Sequence, residues 1–216
     1  MKRRILYLML AMMMLMNCNM FLTKTRAVTF TDVPETHWAN YYIYEMQASN
    51  IINGYGDGTF LPEKQVKTGE FIKMLCMAIW PNFRYELEED AEHWAKPYVF
   101  ALDGFMLDRR EYGPVRMEKI ITREEAAELI CSFVQLVNIN SNAFKKLDTA
   151  QTYIKNLTDE ALITDEESRI YIDNCIKWGL INGFEDGSFK PSNGLTRAQA
   201  AKIIYSAMLI YDGGAN

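Results

Sequence analysis

Apolar side chains recur every four or five residues in three separate stretches of this chain, which predicts a buried helical face in each. The stripes comprise Trp38, Tyr42, Met46 and Ile51, then Trp94, Tyr98, Leu102 and Leu107, then Tyr171, Cys175 and Leu180. A polar turn follows each stripe, and then a second helical stretch, which we expect to end near Ile79, Val137 and Leu209. The pattern predicts an all-α fold built from helix–loop–helix units.

The three stretches are copies of one sequence. NGYGDGTFLP at 53–62 matches NGFEDGSFKP at 182–191 in eight of ten positions by residue kind, and ITREEAA at 121–127 resembles LTRAQAA at 195–201. The triplet HWA occurs at 37–39 and again at 93–95. The predicted boundaries are 28–85 for repeat 1, 86–137 for repeat 2 and 157–212 for repeat 3, with a polar connector at 138–156. Because one helix pair cannot bury its apolar faces alone, we expect the repeats to pack against each other.

The N-terminus has the layout of a secretory signal peptide. Three basic residues precede an apolar run of 12 residues from Ile5 to Met16, which is short for a membrane span, and cleavage is expected after Ala27. Two alternatives remain: lipid attachment at Cys18, for which Asn17 is a poor neighbour, and a retained hydrophobic anchor. The expected mature chain, 28–216, contains no predicted transmembrane span.

Charge excludes one class of partner. The 216 residues carry 23 Lys and Arg against 28 Asp and Glu, and loss of residues 1–27 would remove five basic residues and no acidic ones. The mature chain would then have a net charge of -10 over 189 residues. This argues against a nucleic-acid binder, and any anionic ligand must be held by local features.

The second helices of repeats 2 and 3 begin with an arginine. Thr122 with Glu125, and Thr196 with Gln199, fit a capping box, which places Arg123 and Arg197 in the first helical turn. Helix N-termini with free N–H groups favour anions, and a guanidinium strengthens such a site. The alternative is an ordinary solvated arginine.

Other reactive residue types favour structural roles. The single Asp of each Asp-Gly turn, Asp57 and Asp186, favours a turn over a calcium loop, and no metal or cofactor is predicted. His37 and His93 occupy equivalent positions and are expected to cap or pack. With Cys18 removed, three core-facing thiols remain, which are expected to stay free: Cys76, Cys131 and Cys175.

Three tryptophans are candidates for stacking on sugar rings. Their positions on the apolar stripe favour core packing for Trp38 and Trp94. Trp178 is the candidate expected to be most exposed, because its counterparts in the other repeats are Ser49 and Phe105.

These motifs resemble the S-layer homology (SLH) family: FTDV at 30–33, HWA at 37–39, the loop at 54–62, LTD at 157–159 and the Thr-Arg segments. The resemblance covers the mature chain as three tandem modules. It implies a three-fold pseudo-symmetric unit with grooves between modules, which attaches exported bacterial proteins to an acidic, often pyruvylated, wall polysaccharide. The glycan-binding residues it implies are Arg123, Arg197, Thr122, Thr196, Lys67, Asp32, Asp159, Gly54 and Gly183, with Trp178 added by its expected exposure.

The sequence departs from the family pattern in two places. In repeat 1, Lys67 and Thr68 stand where the pattern has Thr and Arg, which removes the arginine and breaks the capping box. In repeat 2, LDRREYG at 107–113 replaces the Gly-Asp-Gly-Thr-Phe loop. We therefore expect one or two competent grooves instead of three.

The leading functional hypothesis is a non-catalytic protein of the bacterial cell surface that binds a wall polysaccharide. The alternative is a structural or protein-interaction subunit of the envelope, docking to another surface protein, with decayed glycan binding. An enzyme acting on wall polymers is disfavoured, because no pair of carboxylates recurs in a catalytic arrangement.

Overall fold

The computed structural model describes residues 29–85, 92–138 and 146–211. Its described part is helical and contains no strand, which confirms the predicted all-α class. The α-helices are α1 Asn40–Ala48, α2 Thr68–Ile79, α3 Lys96–Leu102, α4 Pro114–Met117, α5 Arg123–Asn138, α6 Glu166–Lys177 and α7 Arg197–Tyr211. Short 3-10 turns lie at Arg109–Glu111, Ile154–Asn156 and Glu160–Leu162. The predicted signal peptide, its cleavage point and Cys18 lie outside the described residues.

The helices pack in a ring. The first helix of each repeat packs against the second helix of the preceding repeat: α3 on α2, α6 on α5, and α1 on α7, which closes the circle. Among the second helices, α7 also contacts α5 and α2. Each repeat therefore buries its apolar faces against its neighbours, as the repeat pattern predicts.

A cycle of backbone hydrogen bonds marks the centre of this ring. The N–H of Val66 donates to the carbonyl of Leu195, Leu195 to Ile121, and Ile121 to Val66, at 2.9, 3.2 and 3.0 Å. All three residues are fully buried. Because each lies two residues before the start of α2, α5 or α7, the three second helices start from one shared centre with approximate three-fold symmetry.

The helix starts explain how the sequence fixes this arrangement. In both predicted capping boxes the side chain at the third helical position accepts from the cap N–H: Glu125 from Thr122 at 2.9 Å, and Gln199 from Thr196 at 3.0 Å. The threonine hydroxyls accept in return. In repeat 1, Glu70 still accepts from the Lys67 N–H, so the box predicted to be broken keeps one of its two bonds. Lysine has no acceptor to supply the other.

The two histidines cap the chain before α1 and α3, as predicted. Nδ1 of His37 accepts from the N–H of Ala39 at 3.1 Å, and Nδ1 of His93 accepts from Ala95 at 3.0 Å. The three described cysteines, Cys76, Cys131 and Cys175, are buried and hold no disulfide in the structure.

Candidate functional site

The two predicted arginines are buried, so the interpretation as solvated side chains is wrong. Arg123 and Arg197 are 5% and 6% exposed. Each guanidinium reaches into the inter-helix loop of the following repeat. Arg123 donates through Nε to the carbonyl of Phe189 and through Nη2 to that of Asn182, both at 2.7 Å. Arg197 makes the equivalent bonds to Phe60 at 2.8 Å and Asn53 at 2.9 Å.

Aromatic rings complete these two arginine sites. The Arg123 guanidinium lies 4.7 Å from the ring centres of both Phe184 and Phe189, and Arg197 lies 4.4 Å from that of Phe60. Burial lowers the pKa of the Arg123 guanidinium to about 10, which leaves it charged at neutral pH. The cations are held by carbonyl oxygens and ring faces, so each joins two repeats.

The backbone N–H groups at the starts of α5 and α7 are already used. The N–H of Arg123 donates to Asn193 and that of Glu124 to Pro191, while Arg197 and Ala198 donate to Lys64 and Pro62. The following N–H groups donate to the cap threonines. The expectation that helix N-termini supply donors to a glycan is therefore wrong for these helices.

The other predicted residues mostly shape the loops. Asp32 accepts from the N–H groups of Phe60 and Leu61, and Asp159 accepts from their equivalents, Phe189 and Lys190, at 2.7 to 2.8 Å. These bonds hold Leu61 and Lys190 at positive φ, 55° and 56°, which is unfavourable for residues with a side chain. A Cβ at Gly54 would lie 2.2 Å from the Phe30 ring and 2.6 Å from the Thr59 carbonyl, and one at Gly183 would lie 3.1 Å from the Ser188 carbonyl.

The aspartates of the two Asp-Gly turns accept hydrogen bonds from within their own turns. Asp57 accepts from the N–H and hydroxyl of Thr59, and Asp186 accepts from the same groups of Ser188. Among the residues that the structure describes, no cluster of His, Cys, Asp or Glu could hold a metal.

Lys67, the predicted substitute for the missing arginine, pairs with an acidic residue of the protein. Its ammonium contacts the Glu118 carboxylate, which raises the pKa of Lys67. Glu118 also accepts from His93 Nε2 at 2.7 Å. Lys67 is thus engaged by a carboxylate of the protein itself.

A cleft of about 220 Å³ opens beside Arg123. It is lined by residues 180–184 of repeat 3 and by Gln199 and Lys202 of α7. Trp38 of repeat 1 also lines the cleft. Two cations and no carboxylate line this cleft, which we call the first site. Lys202 makes no ion pair with any residue in the described ranges.

The predicted exposures of the tryptophans are wrong. Trp38 is 53% and Trp94 is 40% exposed, whereas Trp178 is half-buried against the core. Trp38 and Trp94 stand at the first position of their stripes, two residues before α1 and α3 begin. They are therefore the tryptophans available for stacking.

The ring places equivalents of the first site at the other two interfaces. The second site consists of Arg197, Lys73 and Trp94, with the Lys73 ammonium 6.0 Å from the Trp94 ring centre. Lys73 and Lys202 stand 129 positions apart, the same offset as the matching loops. Repeat arithmetic alone could have identified this lysine pair.

The third site has acidic residues in place of the lysine and the tryptophan. The positions equivalent to the arginine, lysine and tryptophan are Thr68, Glu128 and Glu167. Burial raises the pKa of Glu128; Arg116 acts against this rise, and three nearby carboxylates, Glu111, Glu167 and Glu125, add to it. The arginine and the lysine of the first two sites are thus absent from the equivalent positions of the third.

Comparison with known proteins identifies two of the three repeats, the first and the third. The family model described as the S-layer homology domain matches residues 29–72 and 156–201. Both segments are S-layer homology domains. Relatives that match this chain include an anchoring protein and a cell surface glycoprotein, so the predicted location at the bacterial cell surface is confirmed. No helix among the described residues is long and apolar enough to cross a bilayer.

Relatives share this region with much longer proteins. An endoglucanase of Bacillus sp. (strain KSM-635) is 25% identical over 185 residues, which are 84% of this chain and 19% of that protein. A cellulosome-anchoring protein of Acetivibrio thermocellus is 30% identical over 140 residues, 60% of this chain and 31% of the relative. Cell surface glycoprotein 1 of the same species is 24% identical, covering 73% and 7%. The chain thus spans less than a third of the length of these S-layer homology proteins.

Proposed function

We propose that this protein attaches to the bacterial cell wall by binding an acidic polysaccharide non-covalently at the first and second sites. The observation that carries the proposal is the lining of the first site, where Arg123 and Lys202 face a cleft without a carboxylate beside the exposed Trp38. A carboxylated sugar, such as a pyruvylated one, matches this lining, with its anion between the cations and its ring face on the indole.

The lysines supply the anion contact in this proposal. Because each buried arginine already donates to two loop carbonyls, its main contribution is to hold the cleft wall and add positive potential. Lys202 and Lys73 are half-buried, and the Lys73 ammonium lies 6.0 Å from the ring centre of Trp94 and 5.8 Å from that of Tyr98. Binding is a sufficient role for these sites, and we propose no catalytic step.

A retention assay tests the proposal. The protein is incubated with purified wall sacculi, before and after chemical removal of the secondary polysaccharide, and the bound fraction is measured. We expect retention that depends on the polysaccharide and falls at least tenfold in a Lys202→Ala/Lys73→Ala variant. A Lys146→Ala/Lys155→Ala variant, which removes two exposed lysines outside the sites, is the matched control and should bind as the unaltered protein does.

The second candidate is a structural or protein-interaction subunit of the envelope, which the acidic residues of the third site favour. Equal retention before and after removal of the polysaccharide, or no retention, would support this candidate and contradict glycan binding. Release of reducing sugars from the same sacculi would instead indicate an enzyme.

A further inference from the structure

The interface between α5 and α6 contains two facing thiols. Cys131 Sγ and Cys175 Sγ lie 3.5 Å apart, and both residues are fully buried. Each thiol also lies against the opposite helix, with Cys131 3.4 Å from the carbonyl of Tyr171 and Cys175 3.6 Å from that of Ala127. The two side chains therefore meet across the boundary between repeat 2 and repeat 3.

The ring provides two internal comparisons for this pair. At the interface of α2 with α3, the equivalent pair is Cys76 and Leu102. At the interface of α7 with α1, it is Tyr205 and Met46. The same position is thus filled by Cys and Leu, by Tyr and Met, and by two cysteines. Because the other two interfaces pack at this position with pairs that cannot form a disulfide, packing alone does not require two thiols between α5 and α6.

We propose that Cys131 and Cys175 form a disulfide in the protein at the cell surface, covalently joining repeat 2 to repeat 3. A disulfide has an S–S distance of about 2.05 Å, so the sulfurs must approach by about 1.5 Å, which side-chain rotation and a small helix shift can provide. Disulfides persist outside the cytoplasm, where this protein resides. Cys76 faces no second thiol at its interface and remains reduced.

The reaction is a thiol–disulfide exchange with an external low-molecular-weight disulfide, RSSR. The Cys131 thiolate attacks RSSR, its S–S bond breaks, and one RS⁻ leaves and takes a proton. The Cys175 thiolate then attacks the Cys131 sulfur of the mixed disulfide and expels the second RS⁻. Two cysteine thiols and one RSSR thus give one protein disulfide and two RSH.

The exchange takes place before the interface closes. Burial raises the pKa of the Cys175 thiol well above its usual value, so the folded protein offers little thiolate. The reagent also cannot reach a fully buried sulfur. We therefore place disulfide formation during folding, when α6 has not yet packed on α5.

Peptide mapping tests the assignment. The full chain is refolded with oxidised glutathione, denatured, alkylated with iodoacetamide without reduction, and digested with trypsin. We expect a disulfide-linked pair of the peptides 124–145 and 170–177, while the peptide 74–84 carries an alkylated Cys76. Complete alkylation of Cys131 and Cys175 would overturn the proposal, as would either cysteine linked to Cys76.

Stability provides a second readout. The bond links residues 44 positions apart, which restricts the unfolded chain. The unfolding equilibrium should therefore shift towards the folded state by up to about 10³-fold. We expect the oxidised protein to resist urea better than the reduced protein, and the difference to persist in Cys76→Ala. It should vanish in Cys131→Ala. A difference of equal size in Cys131→Ala would contradict the assignment.

Discussion

The first two sites and the third site occupy equivalent positions in the ring but differ in every residue type that could hold an anion. Arginine, lysine and tryptophan at the first and second sites are replaced by Thr68, Glu128 and Glu167 at the third. The loop beside the third site is also the altered one, at 107–113, where a short 3-10 turn replaces the Asp-Gly turn.

This comparison shows that two departures in the sequence concern one interface. Each arginine binds the loop of the following repeat, as Arg123 binds repeat 3 and Arg197 binds repeat 1. By the same relation the loop facing residue 68 is that of repeat 2. Repeat 1 lacks the arginine, and repeat 2 lacks the loop that this arginine would bind. Both partners of the arginine–loop contact are therefore absent from the same interface.

The largest expected effect is the loss of an arginine that joins two repeats. Arg197→Ala would leave the carbonyls of Asn53 and Phe60 without their charged donor, so we expect a loss of about 3 kcal/mol in the free energy of unfolding. Thr68→Ala, at the equivalent position, removes one bond from its hydroxyl to the Lys119 carbonyl and should cost about 1 kcal/mol. Urea denaturation measures both, and equal losses would contradict the proposed difference between the interfaces.

The loop that Arg197 binds should not tolerate a side chain at Gly54, where its backbone lies closest to other atoms. Gly54→Ala places a methyl group against Phe30 and the Thr59 carbonyl, and we expect it to cost about 2 kcal/mol of stability. Gly56→Ala is the matched control within the same loop, because nothing lies within 4 Å of its Cβ position. Thermal unfolding compares them, and a similar change in Tm for both variants would refute the packing argument.

Reversing one charge should make the first site resemble the third. Lys202→Glu introduces the residue type found at the equivalent Glu128, and we expect retention on wall sacculi to fall at least tenfold, about 1.4 kcal/mol. The protein should remain folded, since Lys202 has no ion pair among the described residues. Circular dichroism controls for folding. Unchanged retention would show that the first site does not bind the polysaccharide.

The sequence predicted the fold well because its signals are local or repeated. Capping boxes, the Asp-Gly turns and the spacing of the stripes each depend on a few neighbouring residues, and the start of α5 at Arg123 follows from them. The roles of Arg123 and Arg197 could not be predicted in this way. Their partners lie 59 and 144 positions away, in different repeats, and only the ring brings them together.

The exposure of Trp38 escaped prediction for a related reason. A helical stripe shows which residues share a face, but the edge of that face is set by the neighbouring helix. Here that helix is α7, far away in sequence, and it leaves the Trp38 indole open beside Lys202. The place of Trp38 in the first site therefore required the structure, whereas the reduced number of sites was expected from the sequence.

The smallest expected effect concerns the buried carboxylate of Glu128 at the third site. Because the pKa of Glu128 is raised in the folded protein, its ionised form opposes folding at neutral pH, and the penalty disappears as pH falls below the ordinary value of 4.5. Glu128→Gln should therefore increase stability by about 0.5 kcal/mol at pH 7 and leave it unchanged at pH 4. Lys73→Gln, at the equivalent position of the second site, should give no such gain. Urea denaturation at the two pH values distinguishes them, because a gain that persists at pH 4 would exclude the buried, ionised Glu128 carboxylate as its cause.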